Sequence, residues 1–201
     1  MTTHLSKGDA TRQRLSESML DLIQTKGYHG AGLNAVLEHS AAPKGSLYFH
    51  FPGGKSELGS AAIALTAEQF TSAITSAIAA TDSPEELVDV VVHELTGQLL
   101  SSDYRAGCPV AAVTLDAGAD DEQLRTACSE AYASWVATFR NYLSSLADDS
   151  PDTDGLATSA VCLIEGALVV CRAQRSTVPL ESASRTLKAL LGSVTGPGVK
   201  R

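Results

Sequence analysis

Between Pro43 and Lys55 the chain gathers polar side chains suited to one kind of chemistry. Lys44, Ser46, Tyr48 and His50 put a cation, a hydroxyl, a phenol and an imidazole within a turn and a half of helix. Such a set matches phosphate oxygens and the edges of bases. Lys55 stands where a second cation would complete a phosphate clamp, and Asn34 brings an amide that could read a base or a phosphate.

Two short helices have to hold these groups. Leu33, Val36 and Leu37 recur at helical spacing and form the apolar face of the first, which Ala41-Ala42-Pro43 must end. Proline biases the residue before it away from helix, so a tight turn and a fresh start follow. In the second helix Leu47 and Phe51, one turn apart, face inward and leave the polar set outward. An earlier helix over about 9–26, with Leu15, Met19, Leu22 and Ile23 on one face and Gly27 at its end, completes a three-helix head.

The run Lys44-Gly45-Ser46-Leu47-Tyr48-Phe49-His50-Phe51-Pro52, followed by Lys55-Ser56-Glu57-Leu58, resembles the helix-turn-helix signature of TetR-family transcriptional repressors. The doubled glycine of Pro52-Gly53-Gly54-Lys55, the opening Gly32-Leu33-Asn34 and the later Gly107-Cys108-Pro109-Val110 are similar to the LmrA/YxaF-like subgroup. The resemblance is strong over about 8–66 and weak beyond. It implies an all-α fold of about nine helices: residues 1–54 as a DNA-binding domain and 55–201 as a ligand-binding and dimerisation domain. It also implies repression rather than activation. The DNA-binding set expected is Asn34, Lys44, Gly45, Ser46, Tyr48, His50 and Lys55. Two residues depart from the family pattern: Gly32 stands where a capping Thr or Ser is common, and Ala41 replaces the usual turn glycine.

The net charge of −8 excludes a protein that coats nucleic acid indiscriminately, but the charge is uneven. Residues 1–60 carry six basic against five acidic side chains, and the rest carries nine against eighteen. This confines the approach to phosphate to the amino-terminal module. Abundant alanine and few aromatics favour helix, and no alternating apolar run suggests a strand pair. Cys108, Cys128, Cys162 and Cys171 are far apart with no Cys-x-x-Cys, which argues against a disulfide scaffold and for inert thiols over a redox sensor. No apolar run opens the chain, so no signal peptide is expected, and the apolar stretch 160–170 reads as too short and too broken by Glu165 to span a bilayer. A cytoplasmic protein without membrane contact is the expectation.

Beyond Pro52 a long helix should start near Lys55 or Ser56. Its stripe shifts phase from Leu58, Ala62 and Leu65 to Phe70, Ile74, Ala77 and Ile78, the trace of one helix serving two cores or of a kink. Ser83-Pro84-Glu85-Glu86 is a capping box for the next helix. A short helix over 109–116 follows, then a long one capped by Asp120 or Asp121 with Leu124, Cys128, Ala131, Trp135, Phe139 and Tyr142 on one face. The helix over about 155–174 is apolar nearly all round and needs cover on both sides. A second copy of the chain would supply it, as the resemblance also implies for the last two helices. Leu163, Ala167, Val170, Leu187 and Leu190 are the interface residues expected.

Phe70, His93, Cys108, Val110, Trp135, Phe139, Cys162 and Glu165 could together enclose an apolar pocket with a few polar groups, the usual form of a small-molecule site. The partners expected are therefore palindromic operator DNA, a second copy and a lipophilic or aromatic effector. Neither cofactor nor metal is implied, since the histidines and cysteines lack ligand spacing. Gly54-Lys55-Ser56 imitates the end of a phosphate-binding P-loop, but the earlier glycine would fall at Phe49 and no strand precedes it. An enzyme is not expected. The alternative is a helical ligand-binding or scaffolding dimer that does not use its head on DNA, favoured by the head's weak charge and by Gly32.

Overall fold

The computed structural model describes residues 6–117, 119–146 and 152–192. Among them the chain is all-helical: α1 Lys7–Gly30, α2 Leu33–Ser40, α3 Lys44–His50, α4 Gly54–Ala80, α5 Pro84–Ser101, α6 Pro109–Asp116, α7 Glu122–Leu146, α8 Thr153–Gln174 and α9 Val178–Gly192. Two compact units form, residues 1–68 with 108–131 and residues 69–107 with 132–201. Helix α4 supplies both units, as its shift of phase suggests, and α6 with the start of α7 belongs to the first.

The first unit is held by Leu15, Met19 and Ile23 of α1, Val36 of α2, Leu47 of α3, Leu58 and Ile63 of α4, Val110 and Val113 of α6 and Leu124 of α7, all 0–1% exposed. Helix α1 starts earlier than expected because Ser6 caps it, its Oγ accepting from the Asp9 N–H at 3.1 Å. Its helical backbone breaks at Gly27, φ 72°, where the sequence placed its end, and resumes to Gly30. Asp116 explains the resumption. Its carboxylate accepts from the Tyr28 N–H at 2.9 Å and would lie 2.7 Å from a Cβ at Gly27.

The second unit buries Ile74, Leu87, Leu99, Trp135, Leu143 and Ile164, and packs α9 against α5 and α8. Helix α5 begins at the expected capping box, with Ser83 Oγ accepting from the Glu86 N–H at 3.2 Å. The returning Glu86 carboxylate takes the Asp82 N–H at 2.9 Å. Helix α8 contains the apolar stretch 160–170. It is 22 residues long and holds an 18-residue window of mean hydropathy 1.7, long and apolar enough to cross a membrane by length and composition alone. Here Ala157, Ala160, Val161, Ile164, Ala167, Leu168 and Cys171 form a buried face, while Cys162, Gly166, Val169 and Val170 are exposed. The loop expected over 148–154 falls largely, and the tail over 196–201 wholly, outside the described residues.

Candidate nucleic-acid interface

Helix α2 ends on Ala41, whose φ of 50° and ψ of 30° are left-handed. The Ala42 N–H then bonds to the Leu37 carbonyl at 3.3 Å and to Ser40 Oγ at 3.3 Å, satisfying the helix end as the chain turns. Pro43 caps α3 in extended geometry, so the second helix departs on a new axis. Leu47 and Phe51, both 0% exposed, hold α3 to the core.

The outward side of α3 carries Lys44, Gly45, Tyr48 and Phe49. Tyr48 is 62% and Phe49 79% exposed. Phe49 sits inside the signature run, yet no periodicity marked it as outward. A large apolar ring on a solvated helix suits the methyl group of a thymine in the major groove. Gly45 has open space around its missing side chain, and Asn34 is exposed on α2.

Three expected contacts are modified by their surroundings. Ser46 Oγ donates to the Pro43 carbonyl at 2.6 Å, which engages its proton and leaves its lone pairs to accept. His50 stands edge-on to Phe49, ring centroids 5.0 Å apart, and is half-buried at the helix end. Lys55 points back into the unit, its Nζ 4.4 Å from the centre of the Tyr28 ring and donating to the His29 carbonyl at 3.3 Å. Burial pulls its ammonium below the ordinary lysine value, against the charge of Asp116. Lys55 therefore fastens α4 to the end of α1.

Arg12 is the residue that sequence spacing could not find. Its Nη1 donates to the His50 carbonyl at 2.8 Å and its guanidinium lies 4.5 Å from the centre of the Phe51 ring. A cation at the last carbonyls of α3 satisfies the helix end and complements its dipole. Behind α3, the turn Pro52-Gly53-Gly54 has its own mechanics. Gly54 takes φ 71° and the Gly53 N–H donates to the Glu57 carboxylate at 2.8 Å, closing the start of α4.

The residues expected to bind a ligand divide between the units. Val110 is fully buried in the first, where its carbonyl accepts from the Cys128 thiol at 3.8 Å, and Cys108 lies beside it in sequence. In the second unit His93 and Cys162 are exposed, so neither lines an interior. Helical phase turns His93 and Cys162 to solvent. Phe70 and Trp135 do meet, centroids 4.6 Å apart, and Glu165 is half-buried. Phe139 lines a small apolar cleft with Val88, Val91, Leu143, Ala160, Ile164, Leu187 and Leu191. Of the expected interface residues, Ala167 and Leu187 are buried in the chain's own unit, at 8% and 4% exposure. Leu163 is half-buried, and Val170 and Leu190 are exposed.

A family model described as bacterial regulatory proteins, tetR family, matches residues 19–62. Another, described as transcriptional regulator LmrA/YxaF-like, C-terminal domain, matches residues 84–186. HTH-type transcriptional regulator LmrA of Bacillus subtilis is 31% identical over 187 residues, covering 93% of this chain and 99% of that protein. An uncharacterized HTH-type transcriptional regulator of Mycobacterium tuberculosis is 36% identical over 187 residues, 90% of this chain and 93% of its own length. Among solved structures, regulatory protein TetR from Rhodobacter sphaeroides is similar with TM-score 0.78 at 23% identity, covering 89% of this chain and 97% of that one. A TetR-family transcriptional regulator from Cytophaga hutchinsonii has TM-score 0.77 at 25% identity, covering 95% and 98%. These relatives are named as regulators of transcription, not as enzymes.

Proposed function

Because the chain belongs to the TetR family of bacterial transcriptional regulators, in its LmrA/YxaF-like branch, we propose that it is a ligand-responsive repressor that binds a palindromic operator as a dimer. The observation that carries this reading is α3: a helix seated by buried Leu47 and Phe51 that turns Lys44, Tyr48 and Phe49 to solvent. Exposed aromatics of this size on a short helix are costly unless they meet a partner. Lys44 and the Tyr48 hydroxyl address phosphates and base edges, and Phe49 addresses thymine.

One helix this short holds too few contacts for a specific site. Two copies about a two-fold axis put their readers about 34–36 Å apart, in successive major grooves on one face of the DNA. Val169, Val170 and Leu190, exposed on α8 and α9, form the apolar surface through which the copies join. A small lipophilic or aromatic effector, bound in the second unit, favours a dimer whose readers no longer fit that spacing, and the operator is released. The protein acts in the cytoplasm, where its DNA is.

Binding to the DNA flanking its own gene, followed by fluorescence anisotropy, tests the reading. The Lys44→Ala, Tyr48→Ala double variant should lose about a thousandfold or more in operator affinity, as expected for four contacts per dimer of about 1 kcal/mol or more each. Unaltered affinity in a variant that still dimerises would sink the DNA-reading role. With six phosphates neutralised per dimer, affinity should also fall about a thousandfold between about 50 and 200 mM salt.

A further inference from the structure

We propose that the indole of Trp135 is the polar anchor of the effector site, taking a small, uncharged, mostly apolar molecule that offers a hydrogen-bond acceptor oxygen. This rests on the ligand-responsive reading above and specifies the chemistry of its ligand. Trp135 is 2% exposed, and its Nε1–H has no hydrogen-bond acceptor among the described residues. The hydroxyl of Thr71 on α4 is likewise buried and unpartnered. Buried polar groups nearly always pair, so two orphans in one unit call for a reason.

Their surroundings supply one. Phe70, adjacent to Thr71, packs its ring against the indole at 4.6 Å between centroids and 52° between planes. Tyr132 meets the indole edge-on at 5.4 Å and 89°. An aromatic wall with a donor set into it is the form of a small-molecule site whose polar groups fix orientation. Indole can only donate, so the ligand must bring the acceptor. Thr71 can donate or accept, and so tolerates either a second oxygen or a hydroxyl. A charged ligand is disfavoured, because burying an unpaired ion costs far more than burying a carbonyl. Phe139 stands one helical turn beyond Trp135 on α7 and lines the apolar cleft, so the hydrocarbon part of the ligand extends that way.

A matched pair of probes isolates the anchor. Benzophenone and diphenylmethane share a frame and differ in whether the central carbon carries an acceptor oxygen. The full-length protein should bind benzophenone about tenfold more tightly by calorimetry, the size of one well-made hydrogen bond. Trp135 is the chain's single tryptophan, so its fluorescence should change during the same titration. Trp135→Phe keeps a ring and removes the donor, and should bind the two probes equally. Thr71→Val, a milder change, should keep the preference but reduce overall affinity. Equal binding of the probes by the unaltered protein, no binding of either, or a preference that survives in Trp135→Phe would overturn the proposal. If Trp135→Phe does not fold, the probe ratio and the fluorescence of the unaltered protein decide. Operator release is measured separately. A probe preference in a protein that ignores operator DNA would keep the anchor and remove the regulatory reading, whereas compounds that release operator equally from both proteins would do the reverse.

Discussion

Ala41 is the residue whose backbone is least comfortable in the reader. A left-handed φ of 50° costs a residue with a Cβ about 1–2 kcal/mol, part of which glycine would return as lost chain entropy. Ala41→Gly should therefore stabilise the protein by about 1 kcal/mol and raise the unfolding midpoint by about 2–4 °C, read by circular dichroism at fixed protein concentration. A lowered midpoint would mean that the methyl group packs better than the strain suggests. The location of this turn was legible, because Pro43 cannot continue a helix and Leu47 and Phe51 must face the core. The partners of Arg12 and Lys55 were not. One answers a carbonyl 38 residues away and the other a ring 27 positions earlier, and no local period encodes such pairings. A cation near a phosphate-binding helix looks the same in sequence whether it faces DNA or fastens the helix down.

Helix starts were the most readable elements, since caps act over three or four residues. Ser83 behaves as its capping box requires, and Asp121 does the same for α7 while also reaching α4. Its Oδ1 accepts from the Leu124 N–H at 3.1 Å and its Oδ2 from the Ser56 hydroxyl at 2.5 Å. The bond from Ser56, followed by those from the backbone, holds this carboxyl below its ordinary value. A depressed carboxyl contributes stability that is complete above its unfolded value of about 3.9 and fades as pH falls through the lower folded value. Asp121→Ala should thus cost about 1 kcal/mol near neutrality, the usual worth of a lost cap, and progressively less below about pH 4. Denaturant melts of both proteins across this range check it. A gap that stays constant with pH would show that the ionised form is not what stabilises the cap. The end of α1 was only half legible for the opposite reason: Gly27 marks a break locally, but the short resumption depends on Asp116, 88 residues away from Tyr28.

At the scale of the whole molecule, residues 108–131 join the amino-terminal unit although nearly forty residues of the second unit intervene. A division drawn along the sequence could not foresee this, because the apolar residues of α6 carry no label for the core they enter. The same ambiguity affects the outer face of α8 and α9. Apolar periodicity cannot separate a residue buried in its own chain, such as Leu187, from one left exposed, such as Leu190. Exposure separates them: Val170 is 41% and Leu190 39% exposed, so a charge at either position leaves the chain's own core intact. The Val170→Glu, Leu190→Glu double variant should keep its helical content yet sediment as a monomer, since paired copies would bury four carboxylates without partners. Its operator affinity should fall by at least about a hundredfold, the advantage that linking two readers confers over one. Sedimentation velocity and anisotropy on the same preparation check both. A variant that remains dimeric would place the interface on another surface, and a monomer with undiminished affinity would show that one reader suffices and that the operator need not be palindromic.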